Sequence, residues 1–258
     1  MRPTVTCPAQ LRLLGDWTLI TDPAPSGRGT APIELPAEPQ HLIAFLALHG
    51  PCPRTQVAGT LWPYLTDQVA AGRLRALLWR LRHRHPDLPP VLEVSDVSLR
   101  LGSDVVVDVD RFKAAAQLLI RGDDDVDCDA ATTVLDSAEL LPGWYDDWVL
   151  AARERLWHLR LSALDALATK RQSQRRRHEA LQAALVATRI EPLHESAHRT
   201  IARIHLDDGN IVEAIQHYER FRSMLNRELG LSPSGHFTDL MRPYLQQLRR
   251  PLRAVPAR

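Results

Sequence analysis

A basic segment in the first half of the chain, residues 69–87, has the residue types that bind nucleic acid. It reads VAAGRLRALLWRLRHRHPD and contains five arginines and two histidines. Between Arg54 and Arg84 the chain carries six arginines against one acidic residue, Asp67. An arginine pairs with phosphate oxygens and can form two hydrogen bonds to one guanine. The composition therefore predicts a surface that binds the DNA backbone and reads bases.

The leucine spacing of the segment predicts that a helix presents these arginines. At about 100° per residue, five apolar residues share one helix face. They are Ala70, Leu74, Leu77, Leu78 and Leu81. We expect this face to pack on helices predicted over residues 42–48 and 56–61, which leaves most of the arginines on the sides and the opposite face.

The overall charge leaves a second interpretation open. The formal net charge is only +1, so attraction to DNA has to be local. Of the 32 basic residues, only Lys113 and Lys170 are lysines. Such a bias is typical of a GC-rich genome, in which an arginine-rich helix face is often merely solvated.

The elements around the basic helix favour DNA binding. Short strands are expected over 11–15, 17–20, 32–35, 91–94, 97–101 and 104–109, from alternating apolar residues between turn residues. Three helices separate the third of these strands from the fourth, and the basic helix is the last of them. Strands, three helices and a strand hairpin form the layout of a winged helix of the response-regulator type. In that fold the third helix enters the major groove.

From residue 109 onward the pattern is helical and predicts a second domain. Helices are expected over 110–120, 130–141 and 146–170. The triplets EAL at 179–181 and EAI at 213–215 are separated by one tetratricopeptide period. The downstream unit fits that repeat at Gly209, Ala214, Tyr218 and Phe221, and in the upstream unit Arg175 replaces the turn glycine. A helical bundle without a repeat is the alternative.

The motifs together resemble the SARP-type regulators (Streptomyces antibiotic regulatory proteins), which contain a bacterial transcriptional activator domain. They are LRLLGDWTL, LALHGPCPRTQVAGTLWP, LRALLWRLR, VVVDVDRF, LLPGWYDDWVLAARERLWHLRLSAL, IEPLHESAHRTIARIHLDDGN and ELGLSPS. They run in the family's order and cover nearly the whole chain. The resemblance implies a winged-helix DNA-binding domain over 1–108 and an all-helical, tetratricopeptide-like activator domain over 109–258.

The same resemblance implies a regulator, and more specifically an activator, that binds direct repeats near a promoter and contacts RNA polymerase. The residues predicted to contact DNA are Arg54, Arg73, Arg75, Trp79, Arg80, Arg82, His83, Arg84 and Arg100. By analogy, the loop residues Pro63, Tyr64, Leu65, Thr66 and Asp67 are candidates for a partner contact. A homodimer or paired binding on the repeats is left open.

Two departures from the family leave the base preference and the wing contacts open. Many members end the wing with Gly-Tyr-Arg-Leu, whereas VSLRL here has Arg100 without Gly-Tyr, and Trp79 stands where many members carry a small polar residue. The rival function is a tetratricopeptide-like interaction scaffold whose winged helix no longer binds DNA. Salt-dependent DNA binding distinguishes the two.

The sequence predicts neither an enzyme nor a metal or cofactor site. Cys7, Cys52 and Cys128 are far apart and form no CxxC pair. His194 and His198 have i, i+4 spacing, but no third zinc ligand accompanies them. No phosphate-binding loop, dinucleotide motif or nucleophile elbow is present.

Two further features have structural interpretations. The motif LLPGWYDDWVL, with Trp144 and Trp148, is expected to fill a helix junction rather than to bind a ligand. The N-terminus lacks the apolar stretch of a signal peptide, and runs such as residues 42–48 are too short to span a bilayer. A cytoplasmic protein is therefore expected.

Overall fold

The computed structural model describes residues 9–21, 32–84, 88, 90–123 and 127–248. Up to residue 107 the chain contains both strands and helices: β1 (Ala9–Arg12), β2 (Thr18–Thr21), α1 (Ala37–His49), β3 (Cys52–Pro53), α2 (Arg54–Leu61), α3 (Asp67–Arg84), β4 (Leu92–Val94), β5 (Ser98–Leu101) and β6 (Val105–Val107). Helices follow: α4 (Asp108–Arg121), α5 (Cys128–Leu135), α6 (Asp147–Ser173), α7 (Arg177–Ile190), α8 (Glu195–Asp207), α9 (Ile211–Leu229) and α10 (Gly235–Leu248). The expected order of an α+β region and then a helical region is confirmed.

Two small sheets frame the first three helices. In one sheet, β1 pairs antiparallel with β2 and parallel with β6, so Leu11 has Leu19 and Val107 as its two neighbours. In the other, β5 pairs antiparallel with both β3 and β4. The strand expected over 32–35 is wrong: Pro32 forms only an isolated bridge with Ile20, and the following residues are not in a strand.

The apolar faces of α1, α2 and α3 pack against one another and form the core of this region. Leu42, Ile43 and Leu46 of α1 are fully buried, and Val57 of α2 is buried with them. On α3, Ala70, Leu74, Leu77 and Leu81 are buried, whereas Leu78 is partly exposed at the edge of the face. The predicted core face of the basic helix is therefore confirmed, with Leu78 at its margin.

The chain folds into two compact units, and one of them is discontinuous. The first unit contains residues 1–115 and 137–158, and the second contains 116–136 and 159–258. A single cut after residue 108 does not describe these units. The functional division between 1–108 and 109–258 therefore stays a prediction.

Backbone hydrogen bonds hold the returning segment 137–158 in the first unit. The Gly15 N–H donates to the carbonyl of Glu139 (2.8 Å), and the Leu141 N–H donates to the carbonyl of Leu13 (2.9 Å). Since these backbone groups pair with the N-terminal segment, they cannot continue a helix. The helix expected over 130–141 is accordingly wrong in its second half, because α5 ends at Leu135.

Aromatic packing secures the same segment at the start of α6. Trp148 is only 7% exposed and meets Phe45 of α1 edge-on, with ring centroids 5.4 Å apart. Trp144 stacks on His41 at 4.0 Å, and the His41 ring also lies 3.3 Å from the carboxylate of Asp146. These contacts agree with the structural interpretation of the two tryptophans.

Equivalent positions of the predicted repeat have similar surroundings in the last four helices of the second unit. Ala180 on α7 and Ala214 on α9, which occupy equivalent positions of the two repeat units, both have no exposed surface. The turn positions match as well: Arg175 and Gly209 have φ of 61° and 77°, so the upstream arginine adopts the left-handed conformation that its glycine counterpart favours. The register predicted from the repeat period therefore describes the observed packing.

Two histidines, the buried His198 and the partly exposed His217, are hydrogen-bonded within this unit. His198 lies 2.9 Å from the His217 ring and, through its other nitrogen, 2.9 Å from the carbonyl of Pro192. Because a carbonyl only accepts, His198 donates there and its second nitrogen accepts from His217. His194, the partner of His198 in the i, i+4 spacing, pairs instead with Asp165 at 2.9 Å. The two residues thus bond to different groups.

Acid should weaken this unit through the histidine pair. Burial, with the nearby charges of His198, Arg220 and His205, lowers the pKa of His217 from 6.5 to about 4. The unfolded chain therefore binds a proton more readily between these two pH values, so stability is lost as the pH falls from about 6.5 towards 4. Since His217 is partly exposed, we expect a loss of roughly 1–2 kcal/mol.

Thermal unfolding of the wild type and His217→Gln, followed across this pH range, measures the effect. Glutamine keeps a polar side chain but cannot titrate, so its melting temperature should change less with pH. Parallel curves for the two proteins would contradict the assignment to His217.

Candidate nucleic-acid interface

The side of α3 opposite its buried leucines forms an exposed surface, here called the outer face. At about 100° per residue, the same side of the helix collects seven residues. They are Gln68, Gly72, Arg75, Ala76, Trp79, Arg82 and His83. Gly72 is partly exposed and the others are exposed. Two arginines and an aromatic pair therefore share a surface that also contains two very small residues.

The arginines of α3 fall into two groups. Arg73 and Arg80 lie at the flank of the helix, and both pair with Glu38 of α1, with N···O distances of 2.6 and 2.7 Å. Arg73 also lies over the ring of Trp62, 5.5 Å from its centroid. One carboxylate thus holds two guanidinium groups in place and offsets part of their charge.

The second group has no such counter-charge. Within the described residues, Arg75, Arg82 and Arg84 form no ion pair, and all three are exposed. Arg75 and Arg82 lie on the outer face, and Arg84 is the last residue of α3. Of the positive charge on α3, the part that remains for an external anion is therefore concentrated on these three residues.

Glu38 is the interface residue that the sequence did not reveal. It lies 35 residues before Arg73 in the chain, so a count of the charges in the basic segment does not include it. Only the packing of α1 on α3 brings its carboxylate to the arginines. No local motif marks it, and the sequence count of the basic patch was too high for that reason.

Trp79 occupies the centre of the outer face. Its side chain is 58% exposed, which is unusual for a tryptophan. The ring stacks on His83 with centroids 4.5 Å apart and planes at 19°, and the Nδ1 of His83 lies 2.8 Å from the carbonyl of Trp79. The stacked histidine limits the rotation of the tryptophan ring and keeps it on the surface.

The remaining predicted DNA contacts lie beside the β4–β5 hairpin. Arg100 on β5 donates through Nε to the carboxylate of Glu93 on β4 at 2.8 Å, and this hydrogen bond holds the pKa of Glu93 below its usual range. Arg54, the first residue of α2, donates to the carbonyl of Ser95 at 3.1 Å. A cleft of about 590 Å³ separates α3 from the hairpin and is lined by Arg54, Trp79, Arg82 and His83 among others.

The loop between α2 and α3 presents its aromatic residue fully to solvent. Tyr64 is 99% exposed, and Pro63 and Thr66 beside it are exposed as well. Leu65 is partly buried, and its N–H donates to the carbonyl of Trp62 at 3.1 Å. Asp67 is the first residue of α3 and is exposed. The loop is thus a short protruding surface held at its base.

Other kinds of site are not formed by the described residues. Among them, no three histidine, cysteine or carboxylate side chains lie close enough together to hold a metal ion. No helix in the part of the chain that the structure describes has the length and apolar character needed to cross a membrane.

Comparison with known proteins identifies relatives of both the sequence and the fold. The sequence profile of the family described as "Bacterial transcriptional activator domain" matches residues 107–245. A search of curated proteins gave no significant match. The structure of Mycobacterium tuberculosis EmbR in complex with a low affinity phosphopeptide is similar, with a TM-score of 0.70 and 18% sequence identity. The match covers 95% of this chain but only 66% of EmbR, so the two share a fold over less than two thirds of that protein.

Proposed function

Because the chain belongs to the bacterial transcriptional activator domain family, a family of transcriptional regulators and not an enzyme class, we propose that it binds promoter DNA with sequence specificity and activates transcription. Residues 1–108 form the winged-helix DNA-binding domain in this proposal, and residues 109–258 form the activator domain. The protein acts in the cytoplasm, where promoter DNA and RNA polymerase are found. This function rests on the outer face of α3.

The outer face has the composition and shape that a major groove requires. Arg75 and Arg82 are exposed and have no ion-pair partner among the described residues, so they can bind phosphates or guanine without first losing an internal contact. Gly72 and Ala76 add almost no bulk on the same side. A helix with small residues there can approach the base edges closely.

The β4–β5 hairpin takes the role of the wing. It follows α3 in the chain, and Arg54 ties it to the start of α2. Arg100 lies on the hairpin, where a wing contacts the DNA backbone, although Glu93 offsets its charge. We therefore assign most of the phosphate binding to α3 and a smaller share to the hairpin.

The protruding loop of Pro63, Tyr64, Leu65, Thr66 and Asp67 is our candidate for the polymerase contact. A fully exposed tyrosine on a loop fixed at its base offers a large contact area at low entropic cost. Binding as a homodimer, or as two copies on direct repeats, would place two such loops on one promoter.

Selection of bound DNA from a random library with the purified protein tests the function. We expect one enriched motif, with an affinity that falls steeply as the salt concentration rises. Failure to enrich any motif, together with affinity that does not respond to salt, would contradict DNA binding.

One observation favours a different function, that of a protein-interaction scaffold. Glu38 and Glu93 offset the charges of Arg73, Arg80 and Arg100, three of the predicted DNA contacts. A winged helix that no longer binds DNA would tolerate acidic residues beside these arginines. The same selection separates the two functions, since a scaffold would enrich no DNA.

Removal of the Glu38 charge should strengthen DNA binding. Glu38→Gln leaves Arg73 and Arg80 with their full positive charge beside the outer face. We expect the affinity at low salt to rise several-fold and the salt slope to steepen by about one. Fluorescence anisotropy with a labelled operator over a range of salt concentrations measures both.

Glu34→Gln is the matched control for this variant. It removes the same charge from an exposed position that lies before α1. If both variants change the slope equally, the effect comes from net charge and the role given to Glu38 is wrong.

A further inference from the structure

We propose that Trp79 is a specificity-determining residue that contacts the C5-methyl group of a thymine in the major groove. The inference rests on the proposed DNA-binding function and adds to it the kind of base that the protein selects. It starts from an aromatic side chain that lies in the centre of a surface otherwise suited to polar contacts.

The position of Trp79 is that of a residue at the base edges. On the outer face, Arg75 and Arg82 lie to one side of it and His83 to the other. Ala76 and Gly72, one and two turns earlier along the helix, leave its ring as the largest projection of this surface. When the outer face enters the groove, the ring reaches the bases before the neighbouring small side chains can.

The chemistry of the ring restricts what it can contact. The major-groove edges of guanine, cytosine and adenine offer hydrogen-bonding groups, whereas thymine also offers an apolar methyl group. An indole face buries that methyl favourably, but it gains little from an exocyclic amine or carbonyl that loses its water. Trp79 should therefore favour thymine, while Arg75 and Arg82 favour guanine or phosphate.

The stacking with His83 makes this contact selective. With planes at 19° and centroids at 4.5 Å, the histidine supports one face of the indole. His83 is itself held by the hydrogen bond between its Nδ1 and the backbone carbonyl of Trp79. A ring that is fixed before binding loses less entropy on contact, so a single methyl group can be discriminated.

The test uses the operator obtained by selection and replaces each thymine in turn by deoxyuridine, which removes only the methyl group. At one or more thymines, we expect the wild type to lose roughly fourfold in affinity for each protein copy bound, the value of one buried methyl group. Trp79→Ala should bind the thymine and uracil forms of that position equally. Trp79→Phe, which keeps an aromatic face, should retain the preference.

The control variant changes Arg84, the exposed last residue of the same helix. Arg84→Ala should weaken binding to both forms by the same factor, because a phosphate contact does not depend on the base. If the operator is bound but Trp79→Ala keeps the same response at every deoxyuridine position, the thymine contact is refuted while DNA binding stands. If no operator can be selected at all, the proposed function fails as well.

Discussion

Replacement of Arg75 and Arg82 together by alanine should weaken operator binding by about a hundredfold, from the loss of two charge-assisted contacts. Both guanidinium groups lie on the outer face and have no ion-pair partner among the described residues. Each lost phosphate contact should also lower the salt slope by about one. Anisotropy titrations at several salt concentrations give both quantities, and circular dichroism should show an unchanged fold.

The matched comparison is the double variant Arg73→Ala, Arg80→Ala. It removes the same two charges from the same helix, but from side chains that Glu38 already holds. We expect a smaller loss of affinity than for the outer-face pair. Equal losses would show that only the net charge of the helix matters. If alanine replaces all four arginines, at positions 73, 75, 80 and 82, and DNA binding is unaltered, the DNA-binding role of α3 is ruled out.

Substitution of Ala214 by glutamate should lower the stability of the second unit by at least about 3 kcal/mol, which corresponds to roughly 10 °C in melting temperature. Ala214 has no exposed surface and lies in a cluster with Tyr218, Phe221, Phe237 and others. A larger side chain must displace these neighbours, and its carboxylate would be buried without a partner.

The control for this variant is Gln216→Glu, which adds the same charge to the same helix at an exposed position. It should stay within about 0.5 kcal/mol of the wild type. The repeat offers a second test, because Ala180 and Gln182 occupy the equivalent positions of the upstream unit, where the alanine is buried and the glutamine is exposed. Ala180→Glu should therefore destabilise and Gln182→Glu should not. If buried and exposed variants melt together, the repeat register is wrong.

The sequence predicted well which residues at regular spacing are buried. The apolar face of α3 follows from helical spacing, and the matching alanines 180 and 214 follow from the tetratricopeptide period. Such patterns are local, or repeat locally, and a helix converts them directly into a face. The order of elements followed from the same kind of information, whereas the family resemblance rests on sequence motifs spread along the chain.

Two of the failures have a common physical origin in contacts between distant segments. Glu38 reaches Arg73 and Arg80 only through helix packing, so the charge of the patch was overestimated. Residues 139–141 carry a helical pattern, yet their backbone groups bond with residues 13–15. In each case a tertiary contact outweighs the local preference, and a single sequence contains no record of it.

The return of residues 137–158 to the first unit affects the order in which the chain can fold as it is synthesised. The sheets and first three helices of that unit leave the ribosome early, but the segment that carries Leu140 and Trp148 follows only after residues 116–136, which belong to the other unit. At about 5–20 residues per second, the stretch from 116 to 158 takes roughly two to nine seconds to make. During that interval Phe45 lacks its contact with Trp148, and the Leu13 carbonyl and the Gly15 N–H lack their partners in residues 139–141. The nascent protein therefore cannot complete its first unit before the second has begun to emerge, and the two units mature in an overlapping order.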